Sequence, residues 1–87
     1  MSLEYWEKFS PKELDIKLQN LFSLLGLLYN RNLSSLAIID LIKRRIKQIA
    51  KNKRYLMRPI CEILGVDHFG LISESLDYLK IRLSGGD

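Results

Sequence analysis

Leu33–Lys53, LSSLAIIDLIKRRIKQIAKNK, is the stretch that decides the fold. Leu36, Ile39, Ile42, Ile46 and Ile49 recur every three or four residues, which is the period of one helix face. At about 1.5 Å per residue the stretch makes a helix roughly 30 Å long. Arg44, Lys47 and Lys51 fall on the side opposite this apolar stripe, and Arg54 and Arg58 join them if the helix persists that far. Lys43, Arg45 and Lys53 flank the stripe, where long cationic side chains lay their stems on apolar surface and keep their charge in water. Asp40 lies four residues before Arg44, within reach of an ion pair along the helix. The stretch therefore reads as a core helix with a basic ridge on its outer side.

Working back toward the N-terminus, Asn30-Arg31-Asn32 reads as a turn, with Asn32 or Ser34 capping the helix that follows. Before it, Ser10-Pro11-Lys12-Glu13 is a helix start. Ser10 and Glu13 form a reciprocal capping box, and Pro11 falls at the first helical position, where a missing N–H costs nothing. This helix is expected to run to about Tyr29, burying Leu14, Leu18, Leu21, Leu25 and Leu28. Gly26 lowers its propensity and allows a close neighbour. Ser2–Phe9 is expected to form a short helical turn capped by Ser2. Its Tyr5, Trp6 and Phe9 serve either as a lid over the core or as anchors for a protein partner.

Working forward, Arg58-Pro59 predicts a break between Lys53 and Pro59, because proline disfavours helical geometry in the residue before it. A short helix is expected from Pro59 to Leu64, stopped by Gly65. Asp67 then caps a last helix from about His68 to Leu83, with Phe69, Ile72, Leu76, Leu79 and Leu83 inward. The reading is an all-α protein, a small bundle of four helices to which a short fifth can be added at the N-terminus. Residues 1–87 form one helical domain, with 83–87 as a frayed tail.

The charge is not spread evenly. Residues 43–58 carry eight basic groups and no acid, whereas residues 1–40 sum to −1 and residues 59–87 to −3. A concentrated run of this kind either suits an anionic partner or is a solvated helix face balanced by its acidic flanks. Tyr55 lies inside it, placed to stack on a base or to pack inward.

Other functions find little support. Cys61 is the only cysteine and His68 the only histidine, so no disulfide framework and no four-ligand zinc site can form within the chain. As a nucleophile–base pair the two would stand across a helix end, and Cys61 reads instead as a buried structural residue. There is no glycine-rich phosphate loop, paired-carboxylate spacing or metal motif. The expectation is no enzyme, no cofactor, no metal and no small-molecule substrate. Met1–Ser10 lacks the apolar core of a signal peptide, and no apolar run spans a membrane, so a cytoplasmic location away from membranes is expected.

Two further patterns bear on function. Cys61, Gly65 and Val66, followed by Leu71-Ile72 and Leu76–Leu79, resemble a helix-turn-helix. The connection runs one residue long, however, and the would-be reading helix carries Glu74 and Asp77, with Lys80 and Arg82 only near its end. In its size, helical character and the stretch KRRIKQIAKNKRYLMRPICEILGVD, the chain also resembles the small helical accessory subunit of the replicative B-family DNA polymerase holoenzyme of Sulfolobus-like archaea. That resemblance implies a non-catalytic archaeal protein that binds a larger subunit, a DNA polymerase, and supports DNA replication. Its basic face would help hold DNA.

The nucleic-acid contacts expected from the charge pattern are Lys43, Arg44, Lys47, Lys51, Arg54 and Arg58, and the expected protein contacts are Tyr5, Trp6 and Phe9. The competing readings are a helix-turn-helix transcriptional regulator and a module that binds only protein.

Overall fold

The computed structural model describes residues 3–85. Five helices form in order: α1 (Leu3–Glu7), α2 (Pro11–Leu25), α3 (Ser35–Asn52), α4 (Met57–Leu64) and α5 (Ile72–Leu83). Short 3-10 turns at Arg54–Leu56 and Phe69–Leu71 lead into α4 and α5. Among the described residues there is no strand, so the protein is the all-α bundle its periodicity predicts. Its radius of gyration of 12.0 Å matches the roughly 12 Å expected of a compact chain of this length.

Helix α3 lies between α2 and α5, and α4 packs on both α2 and α5. The core is made of Leu14, Leu18, Leu21, Phe22 and Leu25 from α2, Ile38, Ile39, Ile42, Ile46 and Ile49 from α3, and Met57, Ile60, Leu64, Ile72, Leu76 and Leu79 from the C-terminal half. Each fully buried Leu or Ile of this kind contributes on the order of 1.5–3 kcal/mol. Ser34 caps α3, accepting from the Ala37 N–H at 3.1 Å. The α2 capping box forms in both directions, with 3.1 Å to the Glu13 N–H and 2.8 Å from the Ser10 N–H. The bond from the Ser10 backbone, reinforced by its hydroxyl, holds the Glu13 carboxyl below its ordinary pKa.

Four sequence expectations are corrected. Helix α2 ends at Leu25 rather than at Tyr29, because Gly26 adopts the left-handed conformation (φ 72°) and terminates it. Leu28 therefore leaves the stripe and is 94% exposed. Leu36 is 65% exposed, since the α3 stripe centres instead on Ile38, Ile39 and Ile42. Helix α4 begins at Met57, not at Pro59. Pro59 occupies the third position of its first turn, where N–H groups have no intrahelical partner, so Arg58 stays helical despite the proline after it. The chain breaks at Lys53 (φ −138°, ψ 57°), within the interval between Lys53 and Pro59 where a break is expected. Finally, α5 starts at Ile72 after the 3-10 turn, with His68 rather than Asp67 as the capping side chain of that turn. Leu83 is the last residue of α5 and packs on the core, so the tail begins after it. The expected cap at Ser2 and residues 86–87 lie outside the described residues.

Helix α1 is held by side chains rather than by length. The Trp6 Nε1–H donates to the Ser75 carbonyl at 3.0 Å and to its hydroxyl at 3.2 Å. The Ser75 hydroxyl donates in turn to the Leu64 carbonyl at 2.7 Å, and the Tyr5 hydroxyl to the Ile63 carbonyl at 2.8 Å. The last carbonyls of α4, which lack helical partners, are thereby satisfied by α1 and α5. Gly65 ends α4 in the left-handed conformation (φ 71°), and a Cβ there would overlap the Tyr5 ring.

Candidate nucleic-acid interface

The eight cations of residues 43–58 do not all remain available. Arg44 pairs with Asp40, as the spacing predicts. Lys43 reaches Asp77 of α5 at 2.9 Å, a partner from the acidic C-terminal flank. Arg45 turns inward. Its Nε donates to the Leu25 carbonyl at the end of α2 at 2.8 Å, and its Nη1 to Gln48 at 3.0 Å. Both ion pairs are solvent-exposed, so each stabilises the fold by no more than about 1 kcal/mol. Their effect is to place a carboxylate beside two of the six cations expected to contact phosphate.

Lys47, Lys51, Lys53, Arg54 and Arg58 are exposed, and among the described residues none has a carboxylate within 4.0 Å. Lys47 and Lys51 follow each other along the outer face of α3, about 6 Å apart at one helical turn. The helix does not persist to carry Arg54 and Arg58. They stand instead on the 3-10 turn and in the first turn of α4, so the ridge bends rather than running straight. Lys53 lines a depression with Arg45, Gln48, Ile49 and Asn52, on the other side of α3 from Lys47. The unpartnered positive face thus consists of Lys47, Lys51, Arg54 and Arg58.

A groove opens along this face between α3 and α5, with a volume of about 530 Å³. Ile46, Ala50, Met57, Ile72 and Leu76 form its apolar lining, and Lys43, Lys47 and Arg54 its cationic rim. Phe69 is one wall, with the Arg54 guanidinium 5.8 Å from the ring centre. Sequence periodicity places Phe69 in the core, but the 3-10 turn rotates it out and leaves it 47% exposed. Tyr55 is 75% exposed on the preceding 3-10 turn. Neither the groove nor the outward turn of Phe69 has a signal in the sequence, because both depend on where α5 lies against α3.

The N-terminal aromatics are placed differently from the protein contacts expected of them. Trp6 is only 1% exposed and spends its N–H on Ser75, so it cannot act as a surface anchor. Tyr5 and Phe9 stack edge-on around it, with centroid distances of 5.0 Å for Tyr5–Trp6 and 5.3 Å for Tyr5–Phe9. Lys8 and Lys17 cover the two outer rings. The cluster closes the core around Trp6, with Tyr5 and Phe9 partly exposed at its rim.

Cys61 and His68 share the wall of a second concavity with Glu62 and Asp67, and no hydrogen bond joins them. His68 Nδ1 accepts from the Gly70 N–H at 2.9 Å. Burial raises the Cys61 pKa, partly opposed by Arg58, so the thiol is held in its unreactive protonated form. The residues of the helix-turn-helix pattern fall in α4, in α5 and in the connection between them, where residues 65–68 join α4 to the 3-10 turn that leads into α5. Helix α5 is packed against α1, α3 and α4, and Glu74 and Asp77 lie on its exposed side.

No helix among the described residues is long and apolar enough to cross a membrane. The chain matches no family model, no curated protein and no solved structure.

Proposed function

We propose that this chain is a non-catalytic nucleic-acid-binding protein that contacts phosphate through Lys47, Lys51, Arg54 and Arg58. One observation carries the reading: among the described residues, four exposed cations on the α3–α4 face lack carboxylate partners, while their neighbours Lys43 and Arg44 have them. Phosphates bind such groups mainly by charge, with release of counterions. The resemblance to a polymerase accessory subunit makes DNA the proposed ligand and a larger polymerase subunit the proposed protein partner. In that setting the cytoplasmic chain would support replication by holding DNA near the enzyme.

The test is binding of labelled DNA at low salt by the wild type and by the triple charge reversal Lys47→Glu, Lys51→Glu, Arg54→Glu. The reversal should abolish binding with helicity unchanged by circular dichroism, because none of the three side chains is buried. Undiminished binding by the triple variant would refute the assignment.

A further inference from the structure

The chain has eight aromatic residues, and the fold uses six. Trp6 and Phe22 are buried, and Tyr5, Phe9, Tyr29 and Tyr78 pack against the core. The two left out are Tyr55 and Phe69. Both stand among the unpartnered cations. Tyr55 follows Arg54 directly in the 3-10 turn, and Phe69 lies under the Arg54 guanidinium. A ligand held by phosphate contacts alone needs no aromatic ring, and exposed rings forgo burial that would stabilise the fold.

The groove beside Phe69 extends the same chemistry. Its lining is apolar apart from the cationic rim and Ser73, and its volume of about 530 Å³ suits a flat ring-sized group, within the roughly 300–1,000 Å³ of small-ligand sites. A duplex keeps its base faces stacked internally and offers them to neither ring. An unpaired strand presents a base face at every nucleotide, together with a phosphate.

We infer that the preferred ligand of this face is single-stranded nucleic acid. Its phosphates lie on Lys47, Lys51, Arg54 and Arg58, one base stacks on Tyr55, and another enters the groove against Phe69. This deepens the reading of the preceding subsection and rests on it. An acidic amphipathic helix from a protein would also match the apolar lining and basic rim. It would leave Tyr55, which does not line the groove, without a role.

The experiment compares the affinity of the whole chain for an oligothymidylate of about 16 nucleotides with that for a duplex of equal length. Tyr55→Ala, Phe69→Ala and Tyr55→Phe are measured beside the wild type. The strand should bind more tightly than the duplex. Each alanine variant should lose between about 5-fold and 150-fold on the strand, the range for one stacked base. Tyr55→Phe should keep its affinity, and no variant should change on the duplex. Tyr55 is too exposed for its removal to unfold the chain, so its result stands even if Phe69→Ala is destabilised.

Equal affinity for strand and duplex, with both alanine variants unchanged, would overturn the inference and leave phosphate binding intact. A loss on Phe69→Ala with none on Tyr55→Ala would also overturn it. Failure of the wild type to bind either nucleic acid at low salt would refute the broader reading instead.

Discussion

The salt dependence of binding counts the phosphates that the basic face neutralises. The charge pattern nominates six cations, and among the described residues four of them have no carboxylate partner. For a single strand, log Kobs falls with log salt with a slope of about −0.7 per phosphate neutralised. Four contacts give a slope of about −2.8, and six give about −4.2. Between about 50 and 200 mM salt, the wild type should therefore weaken by roughly 50-fold. Lys47→Gln with Lys51→Gln should flatten the slope to about −1.4. Asp40→Asn with Asp77→Asn should steepen it toward about −4.2, because Arg44 and Lys43 lose their partners and become free for phosphate. Fluorescence anisotropy of a labelled oligothymidylate across a salt series measures all three. A wild-type slope already near six contacts, unchanged by removing the two aspartates, would refute the argument that ion pairing subtracts these cations.

Two predictions concern the frame that positions the face. Gly26→Ala and Gly65→Ala impose the same left-handed strain, on the order of 1–2 kcal/mol. Only Gly65→Ala also displaces the Tyr5 ring and its bond to the Ile63 carbonyl, adding about 1 kcal/mol or more, so chemical denaturation should show it as clearly the less stable. Ser75→Ala should cost about 1–3 kcal/mol in the same assay by stripping the Leu64 carbonyl of its buried partner, although Trp6 keeps its bond to the Ser75 backbone.

The elements themselves were legible in the sequence because local rules set them. The capping box at Ser10 and Glu13, the isoleucine stripe of α3 and the stop at Gly65 all act within one or two turns of helix. Leu28 shows the reach of a single residue, since Gly26, a weak helix former by propensity, acts as a terminator. Pro59 shows the reverse, a helix breaker made harmless by its place in a first turn.

The site was legible only in outline. The cations could be named from their run, and Arg44–Asp40 from its spacing of four. Lys43–Asp77 joins residues 34 apart, and Arg45–Leu25 joins residues 20 apart, so which charges remain free depends on tertiary placement. Phe69 fits the α5 stripe by spacing, and only the 3-10 turn before Ile72 rotates it to the surface. Trp6 reads as lid or anchor from the sequence, and the bond of its N–H to Ser75, which no apolar pattern marks, fixes it in the core.

The proposed nucleic-acid surface is one bent face, from the outer side of α3 across the turn to α4 and Phe69. Titrating the isotopically labelled chain with a short oligothymidylate and following its backbone amide resonances tests this residue by residue. The shifts should gather at Lys47, Lys51, Arg54, Tyr55, Arg58, Phe69 and Ser73, leaving Trp6, Leu28 and Asn32 still. Shifts confined to α1 or to the Glu74–Asp77 side of α5, with Lys47 to Arg58 unmoved, would contradict the account.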